Sequence, residues 1–390
     1  MAIQVFRPKF EVEECLAEIR ECLEKGWTGL GFKTVEFENA WKNYTGLPFA
    51  YYVNSATAGL NLAVEILKQK HGWADDDEII STPITFVSTN HAILKANMKV
   101  VFADIDDTMC LSPESVAERI TDRTRAVMFV GIGGNVGRYY DVVKLCRERG
   151  LTLILDAAHM SGTRVDGVMP GQEAEAVIYS YQAVKNLPTA DSGMLCFKNG
   201  ELDTIARQIG WLGINKDTFT RSSNVGNYKW RYNVEYVGDK SHGNSIMASI
   251  GLVQLRYLDR DNAYRRQLVR WYRERLAEIS EYIGFVRVPS NCESSCHLFQ
   301  IFVAERDGLI LHLNGKGIAP GVHYVDNTNY QMYSYAKGTC PRAAYASEHV
   351  LSLPMHMALT YGDVQIVCDE IIKYVKQRGK KVELFNDEVH

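Results

Sequence analysis

Tyr179-Ser180-Tyr181-Gln182-Ala183-Val184-Lys185-Asn186 is the stretch on which the interpretation of this chain depends. It begins at the last residue of the apolar run 176–179. Ser180 follows this run directly, and Lys185 comes shortly afterwards. An earlier apolar run, 151–155, ends on Asp156. Neither residue is informative alone, because most lysines are solvated and many aspartates at strand ends are caps. The order of the two, acid first and lysine second, is the informative feature.

This order supplies the two groups that pyridoxal phosphate (PLP) chemistry requires. A lysine amine forms a Schiff base with the cofactor aldehyde. A carboxylate keeps the pyridine nitrogen protonated, so that the ring can accept the electrons of a substrate carbanion. We therefore predict that Lys185 and Asp156 are catalytic residues and that the cofactor is pyridoxal 5'-phosphate.

The composition excludes several classes of protein. The chain has 390 residues, enough for two domains, with 46% hydrophobic and 23% charged residues. Its formal net charge of -4 offers no basic surface of the kind that binds nucleic acid. There is no apolar run of membrane-spanning length, and the N-terminus lacks the layout of a signal peptide. We expect a cytoplasmic protein with no nucleic-acid or membrane partner.

The nine cysteines predict neither disulfides nor a metal site. They are scattered and odd in number. Cys292 and Cys296, followed by His297, are the one group that suggests metal ligands, but no C-x-x-C pair accompanies them. We expect reduced thiols and no metal.

The pattern along the chain predicts an α/β protein. Short β-branched runs alternate with helical periodicity in the first half, which favours a mainly parallel sheet with helices on both faces. After about residue 200 we expect an irregular segment at 219–236, a long helix from 244 to 276 and a smaller α+β region that ends in a helix at 364–375. The predicted strands are 50–53, 100–103, 126–130, 151–155, 176–179 and 194–197.

Beyond the lysine stretch, short motifs resemble the DegT/StrS-type sugar aminotransferases along nearly the whole chain. In chain order they are Asn54-Ser55-Ala56-Thr57-Ala58-Gly59-Leu60, Pro83-Ile84-Thr85-Phe86, Asp104-Ile105-Asp106, Asp156-Ala157-Ala158-His159, Ser180-Tyr181-Gln182-Ala183-Val184-Lys185, Ala248-Ser249-Ile250-Gly251-Leu252-Val253-Gln254-Leu255, Gly321-Val322-His323-Tyr324 and Leu353-Pro354. The resemblance implies a fold-type I PLP-dependent transferase of the aspartate aminotransferase superfamily. Such a protein has a large PLP-binding domain, expected at 1–250, and a small C-terminal domain, expected at 251–390.

A phosphate site is expected where Ser55-Ala56-Thr57-Ala58 precedes a helix. The first N–H groups of a helix have no intrahelical acceptor and, with the helix dipole, they attract anions. Ala56 and Thr57 would then bind the phosphate, although the same pattern also suits a simple Ser or Thr cap. The resemblance adds Ser180 as a further phosphate ligand.

Two residues are expected beside the cofactor ring. The resemblance implies that Phe86 stacks on the pyridine; the alternative is an ordinary core phenylalanine. It also implies that His159 bonds to the phenolic oxygen of the cofactor, although a lone histidine is more often a bystander.

The substrate side is expected to include a second subunit. In the family, the segment Gly238-Asp239-Lys240-Ser241-His242-Gly243-Asn244 reaches across a homodimer. Lys240 would touch the phosphate of the neighbouring subunit, and His242 would lie near the carboxylate of the amino donor. The resemblance also places His323 among the substrate residues.

Two departures from the family pattern leave the identity of the sugar acceptor open. Asp191-Ser192-Gly193 has a serine where a glycine is usual, and Asp239-Lys240-Ser241 lacks the usual aromatic residues.

The activity that follows is transfer of the amino group of L-glutamate to a keto or aldehyde carbon of a sugar. The acceptor would be a nucleotide-linked keto-deoxyhexose or an oxidised octulosonate (Kdo-type) sugar, for lipopolysaccharide, capsule or antibiotic glycan synthesis. A PLP-dependent sugar dehydratase is the alternative on the same scaffold, but such enzymes carry His where this chain has Lys185. A non-catalytic regulator would have little reason to retain Thr57, Asp156, Ser180 and Lys185 together.

Overall fold

The structure, a computed structural model, describes residues 2–215 and 232–382. The helices are α1 (Val12–Glu24), α2 (Phe32–Thr45), α3 (Ala56–His71), α4 (Val87–Lys95), α5 (Pro113–Arg119), α6 (Tyr139–Arg149), α7 (Gly200–Ile209), α8 (Ser245–Leu276), α9 (Arg306–Gly315), α10 (Pro341–His349) and α11 (Tyr361–Arg378). The strands are β1 (Tyr51–Val53), β2 (Glu78–Ser81), β3 (Lys99–Phe102), β4 (Thr124–Val130), β5 (Thr152–Asp156), β6 (Arg164–Val165), β7 (Ala176–Ser180), β8 (Gly193–Phe197), β9 (Ile283–Phe285), β10 (Cys292–Glu293), β11 (Phe299–Val303) and β12 (Val350–Leu353).

A mainly parallel sheet of seven strands forms the centre of the fold, in the order β1-β8-β7-β5-β4-β2-β3. The five strands from β7 to β3 are parallel, whereas β8 is antiparallel to both of its neighbours. The predicted α/β class and the six predicted strands are confirmed. Because β7 and β8 are consecutive and antiparallel, they form a hairpin, and residues 181–192 with Lys185 connect them.

The pattern did not reveal β2, although this strand lies between β4 and β3. It consists of Glu78-Ile79-Ile80-Ser81, a short apolar core preceded by three aspartates that resemble a loop. Glu78 is buried all the same, because it accepts hydrogen bonds from Thr121 at 2.5 Å and from Lys99 at 3.1 Å. A paired carboxylate is tolerated at a position where an unpaired one would be costly.

Helices cover the sheet and create a large apolar core. Helix α3 packs on β7 and β8, and α6 packs on β4 and β5. Every residue of β5 from Leu153 onward is buried, as are all residues of β7 and β8. Strands buried on both faces read as continuous apolar runs, and for this reason the sequence could locate them.

The long helix α8 is continuous over 32 residues, and the Asn244 side chain caps it by accepting a hydrogen bond from the Met247 N–H at 3.0 Å. It packs against α1 and α2 and also against α11. A second core cluster surrounds α11 and the sheet β12-β11-β9. The division at 1–250 and 251–390 passes through α8 and stays a prediction. Of the irregular segment expected at 219–236, residues 219–231 lie outside the described residues.

Within residues 2–215 and 232–382, no helix is both long and apolar enough to cross a membrane.

We predict that Gly193→Ala disturbs the contact between β8 and the start of α3. A Cβ atom at Gly193 would lie 2.7 Å from the backbone N of Ala56 and 2.7 Å from the carbonyl oxygen of Tyr179. Since backbone atoms must move to admit it, the free energy of unfolding should fall by about 1–3 kcal/mol in denaturant titration. Gly29→Ala is the matched control, because a Cβ there meets nothing within 4 Å. Equal stability of the two variants would contradict this packing.

Candidate active site

A cavity of about 520 Å³ opens at the carboxyl ends of β5 and β7. Eight of the residues singled out from the sequence line it: Ala56, Thr57, Phe86, Asp156, His159, Ser180, Lys185 and His323. Adjacent parallel strands bring their carboxyl ends to one edge of a sheet, where open α/β folds bind ligands. Five of the eight sequence motifs, far apart in the chain, thus converge on one site.

Lys185 lies in the loop of the β7–β8 hairpin. Its backbone N–H donates to the carbonyl oxygen of Gln182 at 2.8 Å, which makes a tight turn at the lysine. Burial lowers the pKa of the Lys185 amine from 10.5 to about 8, although the charge of Asp156 opposes this shift. An amine with this pKa is readily deprotonated and can act as a nucleophile.

Asp156 is the last residue of β5 and is almost fully buried. Its Oδ2 accepts a hydrogen bond from the Thr89 hydroxyl at 2.7 Å, and its Oδ1 accepts one from the Ala158 N–H at 3.1 Å. Burial raises the pKa of the Asp156 carboxyl, whereas these two bonds and the charge of Lys185 oppose the rise. The site therefore holds a carboxylate whose charge depends on the donors around it.

The N-terminus of α3 faces the cavity. The Ser55 Oγ accepts a hydrogen bond from the Ala58 N–H at 3.1 Å, so Ser55 is a genuine N-cap. Ala56 and Thr57 occupy the first turn, whose N–H groups have no intrahelical acceptor, and both residues line the cavity. The cap and the anion site are therefore not alternatives here, since one helix start can serve as both. Ser180, at the end of β7, also lines the cavity.

Phe86 is not a core residue. Its side chain is 59% exposed although it immediately precedes α4, and it lines the cavity with its ring centroid 6.1 Å from that of Tyr324. An aromatic ring exposed within a cavity provides a surface on which another planar ring can stack.

The hydrogen bonds of His159 define its tautomer. The Gly133 N–H donates to Nδ1 at 3.1 Å, so Nδ1 carries a lone pair. Burial, with a smaller contribution from Lys185, lowers the pKa of His159 well below its usual value, and the ring is neutral. Nε2 therefore carries the hydrogen and donates to the Tyr324 hydroxyl at 3.2 Å. A neutral donor at this position suits an oxygen acceptor within the cavity.

Two histidines of the C-terminal part also reach the cavity. His323 is hydrogen-bonded to the Ser352 hydroxyl at 2.9 Å, and burial and Lys185 lower its pKa to about 4. His297 packs against His159, with ring centroids 4.3 Å apart. In the sequence, His297 stands out only as a neighbour of Cys292 and Cys296, and no motif signals its place in the cavity.

Asn186, directly after the lysine, fixes the hairpin loop. Its amide group donates to the Asn262 side chain and to the carbonyl oxygen of Ser295, both at 2.7 Å. The carbonyl of Ser295 can only accept, which settles the orientation of the amide. The Asn186 Oδ1 consequently accepts from the Nδ1–H of His297 at 2.9 Å. The loop with Lys185 is therefore bound to α8 and to the segment before β11.

Lys240 and His242 are not among the residues that line this cavity. Their segment is held along the edge of β1: the Asn54 N–H donates to the Ser241 carbonyl at 2.7 Å, and the Gly243 N–H donates to the Tyr52 carbonyl at 2.9 Å. The exposed Lys240 lies over the Trp211 ring. Their expected roles toward a neighbouring subunit stay predictions.

The unusual serine of Asp191-Ser192-Gly193 does not face the cavity. Ser192 is fully buried, and its hydroxyl lies 2.7 Å from that of Thr189 within the hairpin loop. Asp191 does line the cavity and is exposed. Of this stretch, Asp191 lines the cavity, whereas the serine that departs from the family pattern does not.

These features fit pyridoxal phosphate. Asp156 is a buried carboxylate with lone pairs beyond its two hydrogen bonds, Phe86 offers an exposed ring face, the start of α3 offers N–H groups, and Lys185 offers an amine of lowered pKa. The fold and the cavity define the class of PLP-dependent transferases.

Comparison with known proteins gives the family. The sequence model of the DegT/DnrJ/EryC1/StrS aminotransferase family matches residues 9–372. The spore coat polysaccharide biosynthesis protein SpsC of Bacillus subtilis is 32% identical over 376 residues, which cover 93% of this chain and 95% of that protein. The dTDP-4-dehydro-2,3,6-trideoxy-D-glucose 4-aminotransferase of Saccharopolyspora spinosa is 30% identical over 379 residues, which cover 96% and 97%. The crystal structure of the aminotransferase TlmJ from Streptoalloteichus hindustanus has a TM-score of 0.88 at 31% identity and covers 97% of this chain and 100% of that chain.

The chain therefore belongs to the DegT/DnrJ/EryC1/StrS aminotransferase family. The protein is a sugar aminotransferase, and its cofactor is pyridoxal 5'-phosphate. The resemblance noted from the short motifs and the fold that it implied are confirmed.

We predict that covalent capture of the cofactor by the apoprotein accelerates with pH and levels off above about pH 8. Burial lowers the pKa of Lys185 to about 8, and the neutral amine, present above that value, is the nucleophile. Stopped-flow absorbance after mixing apoprotein with pyridoxal phosphate measures the rate. Lys185→Ala is the control and should show no capture at any pH. A rate that still rises steeply well above this pH would contradict the lowered pKa.

Proposed function

We propose that the protein transfers the amino group of L-glutamate to the carbonyl carbon of a nucleotide-linked keto-deoxyhexose. The observation that carries this proposal is the position of the Lys185 amine in one cavity with the Asp156 carboxylate. A relative at 30% identity, named as a 4-aminotransferase of a dTDP-linked dehydro-trideoxy sugar, supports this class of acceptor. An oxidised octulosonate (Kdo-type) sugar is the other proposed acceptor. It is retained because no sequence motif recognises a nucleotide base, so the acceptor need not carry a nucleotide.

When bound, the cofactor supplies an electron sink that lets an amino group leave the donor and join the acceptor carbon. Lys185 would hold the cofactor covalently and, once its amine is free, would carry the proton between carbons of the reacting groups. Of the described residues that line the cavity, only Lys185 has an amine, so no other lysine there competes for this role. Its pKa of about 8 allows the amine both to accept and to return a proton near neutral pH.

The other cavity residues bind and orient. Asp156 holds a proton at the pyridine nitrogen, and the buried, low-dielectric setting strengthens that attraction. The Nε2–H of His159 would donate to the phenolic oxygen. Ala56, Thr57 and Ser180 would bind the phosphate and Phe86 would stack on the ring; all four residues line the cavity.

A second subunit completes the site in this proposal. The described cavity lining contains one lysine and no arginine, although it must hold a phosphate and the carboxylates of glutamate. Lys240 and His242 of a symmetric neighbour would supply the missing groups, and the exposed position of Lys240 on the edge of β1 is compatible with that. The protein would work as a cytoplasmic homodimer in the synthesis of a surface glycan such as lipopolysaccharide or of an antibiotic sugar.

The dehydratase alternative gains no support. Dehydratases on this scaffold are expected to carry a histidine at the position of Lys185, and the structure places a lysine amine in the cavity. The Nδ1 atoms of the two nearby histidines already take part in hydrogen bonds, that of His159 with Gly133 and that of His297 with Asn186.

The first test is the absorption spectrum of the purified holoprotein before and after addition of L-glutamate without any sugar. We expect the band of lysine-bound cofactor to give way to the band of the amine form, because the first half of the transfer needs no acceptor. Asp156→Ala should bind the cofactor poorly or leave the band unchanged on glutamate addition. A wild-type band that ignores glutamate would contradict glutamate as donor, and a wild-type protein without a Lys185-dependent band would overturn the proposed function.

A second test addresses the shared site. Lys185→Ala and Lys240→Ala subunits, each inactive alone, should recover activity when mixed and allowed to exchange, because a hybrid dimer has one site with both residues intact. Random pairing restores roughly a quarter of the wild-type sites. Lys144→Ala, at a lysine whose side chain is 76% exposed, is the matched control and should be active alone. Failure of the mixture to recover activity would contradict the role of Lys240 across the interface.

A further inference from the structure

Two threonines form a chain of hydroxyl groups that ends on Asp156. The Thr85 and Thr89 hydroxyl oxygens lie 2.9 Å apart, and the Thr89 hydroxyl lies 2.7 Å from the Asp156 Oδ2. Both threonines are buried, at 3% and 1% exposure. Thr89 belongs to the first turn of α4, and Thr85 lies just before that helix.

The direction of each hydrogen bond in this chain is fixed by chemistry. An ionised carboxylate can only accept, so the single hydroxyl hydrogen of Thr89 is directed at Asp156. Thr89 has no second hydrogen to offer, and the bond between the threonines must therefore be donated by Thr85. Thr85 therefore donates to Thr89, and Thr89 donates to Asp156, so that both hydroxyl hydrogens are used.

An asparagine from the C-terminal part holds this chain in place. The Asn327 amide donates to the carbonyl oxygen of Thr85 at 2.9 Å. The Asn90 amide, one residue after Thr89, donates to the Asn327 Oδ1 at 3.0 Å and to the carbonyl of Thr82 at 3.1 Å. Both asparagines are buried, with 1% exposure or less. The turn that carries Thr85 and Thr89 is consequently fixed on both sides of the hydroxyl pair.

We propose that Thr89 is the positioning residue for Asp156: its hydroxyl, ordered by Thr85, fixes the orientation of the carboxylate and stabilises its negative charge, leaving the remaining lone pairs for the cofactor nitrogen. This inference rests on the proposed function, in which Asp156 serves that nitrogen. Thr85 belongs to one of the sequence motifs and Thr89 to none, and nothing in the sequence relates either of them to Asp156.

The groups that surround Asp156 explain why the Thr89 hydroxyl affects cofactor binding. The groups that face this carboxylate are the Lys185 amine from the β7–β8 loop, the Ala158 N–H, the Thr89 hydroxyl from α4 and the Tyr324 phenol. Burial raises the pKa of Asp156, and the Thr89 hydrogen bond is the first of the interactions that oppose it. Without that hydroxyl, the carboxyl group keeps its proton more readily and binds a protonated ring nitrogen less well.

The test compares Thr89→Val, which removes the hydroxyl at similar volume, with Thr89→Ser, which keeps it. Apoprotein is titrated with pyridoxal phosphate, and the dissociation constant is measured from the quenching of protein fluorescence. We expect Thr89→Val to weaken the affinity on the order of tenfold, the effect of losing one hydrogen bond to a charged group. Thr89→Ser should retain the wild-type affinity.

Thr45→Val is the matched control. Thr45 is also buried, and its hydroxyl donates to the carbonyl of Trp41 at 2.8 Å near the end of α2, away from the cavity lining. This variant should lower the free energy of unfolding of the apoprotein but leave the cofactor affinity unchanged.

Wild-type affinity in Thr89→Val would overturn the inference, as would a Thr89→Ser variant as weak as Thr89→Val, because the affinity would then not follow the presence of the hydroxyl. If Thr89→Val does not fold, Thr85→Val replaces it: it should weaken binding in the same direction but less, and unchanged affinity there would overturn the hydroxyl chain. A wild-type protein that forms no Lys185-dependent band would instead refute the proposed function itself, so the two failures are distinguishable.

Discussion

The charge of Asp156 is the constraint on which the site depends. A carboxylate at the end of a strand buried on both faces is costly unless neighbours compensate for its lost hydration. Here the compensation comes from the Thr89 hydroxyl, the Ala158 N–H and the amine of Lys185. These groups belong to three different parts of the chain, so the position of one carboxylate links α4, β5 and the β7–β8 hairpin.

The order of the sheet makes this arrangement possible. Strand β5 lies between β4 and β7, and Asp156 pairs with Val130 on one side and Ile178 on the other. The amine is delivered by a hairpin, because β8 turns back antiparallel to β7. The start of α3 approaches β8 closely at Gly193, where no side chain intervenes. Amine, carboxylate and helix start thus meet at one edge of a rigid sheet.

The sequence predicted those elements whose signal is local. Strands β4, β5, β7 and β8 are continuous apolar runs, and the motifs around Lys185, Asp156 and the start of α3 each mark a strand end or a helix cap. Strand β2 was missed because its acidic approach resembles a loop, and its buried Glu78 is paired only in three dimensions. Thr89 and His297 were missed for a related reason: their significance comes from contacts with Asp156 and Asn186, which are distant in sequence.

The full hydrogen bonding of Asn186 has a consequence for how substrates are accommodated. Its amide and carbonyl together make three hydrogen bonds, to Asn262, Ser295 and His297. A shift of the neighbouring lysine relative to α8 and to the segment before β11 would break these bonds in a buried setting, where an unpaired polar group costs free energy. The loop backbone that carries the reactive lysine is therefore held in place. Acceptors of different size must then be accommodated by other parts of the cavity lining and not by a shift of this loop.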